Sequence, residues 1–198
     1  MRYHPIGVNE MEKVLMHICC APCANRPIDA LRAEGIEPVG FWYNPNIQPY
    51  TEYQARKHTL EDYSREIGMK LIIGGTYDLR GFITAVAGDI EGRCLYCYRS
   101  RMEATARYAA QNGFAAFTTS LLVSPYQRHD AIRALAEEAA GQAGVRFLYR
   151  DWRPLFAAGQ EFAREHGMYM QKYCGCVFSE EDRYKKRKKP AAGRVEGE

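Results

Sequence analysis

The chain lacks any apolar run approaching the roughly 18 residues that a membrane helix needs, which removes helical membrane spans from the reading of its 198 residues. Its opening, MRYHPIGVNEMEK, has no continuous apolar segment and no small-residue cleavage site. It therefore reads as a retained leader, residues 1–12, on a cytoplasmic protein. There is no internal repeat and no glycine-rich phosphate loop, which argues against a repeat array and against ATP chemistry. Neither sign of charge dominates, since 27 Lys and Arg face 24 Asp and Glu for a net +3.

Cysteine is what the chain does supply, and in a pattern. Seven cysteines, an odd number, fall as Cys19/Cys20/Cys23, Cys94/Cys97 and Cys174/Cys176. Reduced thiols grouped in this way argue against a disulfide framework and for metal or redox chemistry. The stretch RYKKRKKPAAGR, residues 183–194, concentrates Lys and Arg without an acid. It reads either as a solvated, disordered tail or as an arm that neutralises phosphates. With 46% hydrophobic and 26% charged residues, the segment 13–182 suits one soluble domain and 183–198 a basic tail.

Along that domain, apolar and helical patterns alternate. KVLMHI, residues 13–18, reads as a buried strand, and NRPIDALRAEG as a helix with Pro27 near its start, Ile28 and Leu31 at helical spacing and Gly35 as its stop. EPVGFWYNPN gives a second strand, TEYQARKHTLEDYSREIG a helix and MKLIIGG a third strand. CLYCYRSRMEATARYAAQNG is helical to Gly113, FAAFTTSLLVSP a fourth strand, RHDAIRALAEEAAGQAG a helix, RFLYRDW a fifth strand and FAAGQEFAREHG a last helix. The order βαβαβαβαβα predicts an α/β domain with a mostly parallel, doubly wound sheet. Ligands of such sheets bind beyond the carboxyl ends of the strands, where the cysteine loop 19–23, the turn 43–50 and SPYQ, residues 124–127, should converge.

The cysteine spacings leave several chemistries open. Cys19, Cys20, Cys94 and Cys97 can close a tetrahedral zinc or an iron–sulfur cluster, and buried inert thiols are a third reading. Adjacent cysteines have diverging side chains, which suits a cuboidal cluster better than one ion, and the functional edge of the sheet suits a cofactor better than a staple. Cys174-Gly175-Cys176 can turn tightly enough for a strained, easily reduced disulfide, or supply two more metal ligands.

The ordered set HICCAPC, YNPNIQPYTEYQAR, CLYCYRSRM, FTTSLLVSPYQRH, DWR and YCGC resembles the QueH-type epoxyqueuosine reductases from about residue 13 to 179. The resemblance implies an oxidoreductase that converts epoxyqueuosine to queuosine at the wobble position of tRNA with a GUN anticodon, the last step of making that base. It implies a fold resembling the adenine-nucleotide α-hydrolase (PP-loop) group, with the phosphate loop replaced by HICCAPC. It also implies a 4Fe-4S cluster on Cys19, Cys20, Cys94 and Cys97, a second mononuclear metal ion, iron, held partly by Cys23, and a redox-active pair in Cys174 and Cys176. An unidentified electron donor is needed, and no membrane.

Loss of the epoxide oxygen as water consumes two electrons and two protons. Tyr43, Tyr126, His17, His129 and Asp151, at or near strand ends, are candidate proton donors. Tyr43, Tyr98, Arg99, Arg101, Trp152 and Arg153 are candidate RNA contacts, because unstacked bases are held by aromatic and guanidinium faces. Two other readings compete: a non-catalytic, zinc-stapled RNA-binding module, and an ATP-using PP-loop enzyme, which would require the missing phosphate loop.

Overall fold

The structure is a computed structural model and describes residues 13–185. The leader and residues 186–198 of the basic tail lie outside the described residues. The five strands are β1 (Val14–His17), β2 (Pro38–Trp42), β3 (Leu71–Ile73), β4 (Ala116–Thr119) and β5 (Arg146–Phe147). Every pairing is parallel, in the order β3-β2-β1-β4-β5. β1 is central and wholly buried, as expected of a continuous apolar strand covered on both faces. The chain begins at the centre of the sheet, winds outward through β2 and β3, and returns across β1 to β4 and β5.

The helices are α1 (Ala21–Ala33), α2 (Tyr50–Glu66), α3 (Leu79–Val86), α4 (Arg93–Gln111), α5 (His129–Ala143), α6 (Phe156–Glu165) and α7 (Val177–Tyr184). α1 packs against α6 and α2, and α4 against α5. The core runs from β1 and β4 into these layers, with Leu15, Met16, Phe41, Trp42, Leu60, Met102 and Phe117 almost wholly buried.

Four differences from the sequence reading have physical causes. α1 starts at Ala21, so Cys23 is in its first turn and Pro27 in its interior. Pro22 sets the φ of an opening turn, which lets the helix begin that early. FAAFTTSLLVSP yields strand only at residues 116–119 and then a 3₁₀ turn, Ser120–Val123, where the Thr119 hydroxyl accepts from the Leu121 amide at 3.2 Å. RFLYRDW is paired only at Arg146 and Phe147. Finally, α3 and α7 were not anticipated, and α7 runs through Tyr184, two residues into the segment assigned to the tail.

Candidate thiol site at the carboxyl edge of the sheet

β1 ends at His17, and the chain passes straight into Cys19 and Cys20 before α1 carries Cys23 back over the same spot. The end of β1 is locked by side chains. His17 Nδ1 lies 2.9 Å from Thr119 Oγ1 at the end of β4, and Nε2 lies 3.3 Å from the Tyr43 carbonyl after β2. Because a carbonyl only accepts, Nε2 carries the proton. Burial pushes the His17 imidazole down to about 3, so it is a neutral clip between three strands.

The Sγ atoms of Cys19, Cys20 and Cys23 lie within 4.8 Å of one another, all buried. Cys19 is held well below the usual thiol range by hydrogen bonds from Cys20 and Cys23, while Cys23 is pushed well above it by the same contacts. Burial raises Cys20. Of the three thiols, Cys19 is the one held down. Polar neighbours face the sulfurs: Gln171 Nε2 donates to Cys20 at 2.9 Å and to Cys23 at 3.5 Å, and the Ser120 hydroxyl donates to Cys19 at 3.6 Å. The Ser120 oxygen in turn accepts from the Cys19 amide at 3.2 Å.

A second thiol group forms where the start of α4 meets the segment between α6 and α7. Cys94, Cys97, Cys174 and Cys176 line one small cavity of about 40 Å³, together with Asn46 and Phe82. Burial pushes the Cys97 thiol up to about 12. Arg101, one turn further along α4, donates to the Cys97 sulfur at 3.0 Å and to its carbonyl at 2.9 Å. Burial opposes the Arg101 charge, but Cys97, Cys174 and Cys19 together outweigh it and hold the guanidinium above its ordinary value. Cys174 is exposed and accepts from Gln127 at 3.4 Å, whereas Cys176 is buried against Phe82 and Val86.

The two groups meet at a cleft of about 1150 Å³ whose walls include Cys19, Cys23, Cys94 and Cys174. Its charge is lopsided. Arg56, Arg93, Arg101, Arg128, Arg164, Lys172 and Arg183 border it, against one acid, Asp182. The anticipated convergence of residues 19–23, the 43–50 turn and 124–127 is present, since Cys19, Ile47, Ser124 and Gln127 share the lining.

The candidate RNA contacts divide. Trp152 is a correction: at 3% exposure it belongs to the core and has no free face for a base. Arg101, 2% exposed, is engaged with Cys97 rather than turned outward. Tyr98 lines the cleft, but its ring is buried and its hydroxyl is tied to Gln127 at 2.7 Å and the Arg128 amide at 3.3 Å. Arg99 and Arg153 are exposed and do not line the cleft, and are paired with Glu138 at 2.8 Å and Asp151 at 2.9 Å. Tyr43 is half-buried with its ring parallel to Phe41. Among the proton-donor candidates, His17 is committed to the β1 clip and His129 is buried beside Asp151 at 3.7 Å. Tyr126, 83% exposed, stands at the cleft against Phe156.

Arg56, Ser120, Gln127 and Gln171 were not singled out from the sequence. Arg56, Ser120 and Gln127 do fall inside motifs that carried the family resemblance, whereas Gln171 does not.

Buried soft donors at a strand edge, cationic walls and an open cleft together define a cysteine-rich α/β protein equipped for metal or thiol chemistry. The chain belongs to the epoxyqueuosine reductase QueH family, whose sequence pattern matches residues 14–182. It is 37% identical over 179 residues to epoxyqueuosine reductase QueH of Dehalococcoides mccartyi, covering 90% of this chain and 98% of that one. The Thermotoga maritima protein of the same name is 33% identical over 178 residues, covering 85% and 91%. That of Haemophilus influenzae is 32% identical over 192 residues, covering 93% and 78%. No helix among the described residues is long and apolar enough to cross a membrane.

Proposed function

We propose that this chain is an iron–sulfur-dependent, cytoplasmic tRNA-modifying enzyme that reduces epoxyqueuosine to queuosine in tRNA. The observation that carries the reading is the gathering of three cysteine groups, distant in sequence, around one basic cleft. The donor set fits a metal centre: the sulfurs of Cys19, Cys20 and Cys23 converge within 4.8 Å, Cys94 lines the same cleft, and the buried guanidiniums of Arg56 and Arg101 offset the excess negative charge of a thiolate-rich site. Cys19, Cys20, Cys94 and Cys97 would hold a 4Fe-4S cluster, and Cys23 would contribute to a second iron. The chemistry supplied there is transfer of single electrons and Lewis-acid polarisation of the epoxide oxygen.

The protein's own groups do the rest. Cys174 and Cys176, when reduced, carry two electrons and two protons, the number consumed when an epoxide becomes an alkene and water. The products are then one water and one Cys174–Cys176 disulfide, which an external electron donor must reduce. Arginines along the cleft neutralise tRNA phosphates, and the exposed Tyr126 and Phe156 pair offers a face for an unstacked base. Arg99, Arg153 and Tyr43 remain outer contacts of the docked RNA, and residues 183–198 a basic arm for its backbone.

Anaerobic reconstitution with iron and sulfide, followed by assay on tRNA carrying the epoxide, tests this. The released nucleoside should lose the mass of one oxygen, and Cys94→Ala should abolish both visible absorption and turnover. Retention of both in Cys94→Ala would remove the cluster assignment. Colourless protein with stoichiometric zinc and no turnover would instead favour the non-catalytic module.

A further inference from the structure

The segment between α6 and α7 that bears Cys174 has no strand or helix to fix it, so its position depends on side chains reaching it from elsewhere. Arg56, on α2, is the chief of these and is only 2% exposed. Its Nε donates to Glu52 Oε1 at 2.6 Å, its Nη1 to the Cys174 carbonyl at 2.9 Å and its Nη2 to the Tyr173 carbonyl at 3.0 Å. The other Glu52 oxygen accepts from the Tyr169 hydroxyl, and the guanidinium stands 5.8 Å from the centre of the Tyr173 ring. A buried ion pair with one carboxylate needs only part of this donor set. Here the two terminal nitrogens are committed to consecutive carbonyls flanking a thiol.

The Gln48 backbone N–H also donates to the Gly175 carbonyl at 2.7 Å, and Gln48 Oε1 accepts from the Val177 amide at 3.3 Å. The grip leaves the two sulfurs in different surroundings, with Cys174 toward Gln127 and Cys176 against Phe82 and Val86.

We propose that Arg56 is the positioning residue of the thiol pair: its fork, aimed by Glu52, holds the Tyr173 and Cys174 carbonyls and so keeps the pair in its dithiol arrangement, Cys174 at the cleft and Cys176 against Phe82 and Val86. This rests on reading the two cysteines as an exchanging pair. In that exchange the two thiols give two electrons and two protons to oxidised glutathione: its S–S bond breaks, a Cys174–Cys176 bond forms, and two glutathione thiols are released. A lysine cannot grip both carbonyls, because its ammonium is a single point on a flexible stem, whereas the guanidinium is a planar fork.

The test measures the disulfide fraction of the pair in reduced and oxidised glutathione mixtures. The tryptic peptide from Tyr173 to Arg183 contains both cysteines and none of the other five, so thiol trapping and mass spectrometry read the pair alone. Arg56→Met should raise the equilibrium constant for disulfide formation at least threefold, Arg56→Lys by less, and Glu52→Gln, which leaves the fork on the carbonyls, least of the three. Leu60→Ala, a cavity one turn further along the same helix that removes no group holding the carbonyls, controls for general loosening and should leave the constant unchanged. A constant in Arg56→Met that is unchanged, lowered or matched by Leu60→Ala overturns the proposal. If the wild-type pair forms no disulfide at any ratio, the exchanging-pair reading fails and amide hydrogen exchange of the same peptide decides. Faster exchange in Arg56→Met than in Leu60→Ala upholds positioning, and equal exchange overturns it.

Discussion

Burial sorts the single residues of this chain more sharply than residue type does. Trp152 and Leu121 are both buried in the core, while Tyr126 and Cys174 remain open to solvent. Trp152→Ala should therefore lower stability by about 3–5 kcal/mol in urea titration, the usual cost of emptying an aromatic core site. tRNA affinity of the folded fraction should stay within about twofold; a larger loss would return Trp152 to the RNA surface. The cysteines were legible because cysteine is an uncommon residue and its grouping is informative. Gln171 and Ser120 were not, since an amide or hydroxyl facing sulfur has the same sequence appearance as one facing water. Gly175 illustrates a third kind of information. Its φ of +148° lies where side chains rarely go, and a Cβ there would stand 3.2 Å from Ile47 and 3.4 Å from Arg56, so the glycine between the two cysteines serves the grip as well as the turn.

At the scale of elements, short helices do more for the site than their length suggests. α3 is capped by Asp78, whose carboxylate accepts from the Gly81 amide at 2.8 Å, and it delivers Phe82 and Val86 onto Cys176. Asp78→Ala should cost about 1 kcal/mol, as caps do, and should speed alkylation of Cys176, read by peptide mapping; an unchanged rate would mean that α3 does not shield the thiol. The alternation of strands and helices was readable because β1 is a buried apolar run and Gly35, Gly68, Gly113 and Gly144 close helices with positive φ. The strand ends were not. Thr119 looks like a strand residue, but its hydroxyl caps a 3₁₀ turn, a competition between side chain and ladder that apolar patterning does not register.

For the whole molecule, charge and ionisation govern behaviour in solution. Burial pushes the Tyr63 and Tyr169 hydroxyls from the usual 10 up to about 12. The folded chain then keeps protons that the unfolded chain releases between those values, so this contribution to stability is complete below pH 10 and lost as pH rises through 12. Urea midpoints should fall across that window, and less so in Tyr63→Phe; an equal fall in the variant would assign the effect elsewhere. The cleft's excess of cations predicts salt-sensitive RNA binding. Removing residues 186–198 should lower tRNA affinity and flatten the dependence of log affinity on log salt, measured by fluorescence titration, and no change in either would dismiss the arm.

The central place of β1 also bears on how the protein is made. His17 is joined to Thr119 across a separation of 102 residues, so on the ribosome the middle strand waits for its β4 neighbour until that whole stretch has been synthesised. Throughout that interval Cys19, Cys20 and Cys23 are not yet enclosed by β4, and are accessible to whichever metal or oxidant reaches the sulfurs first.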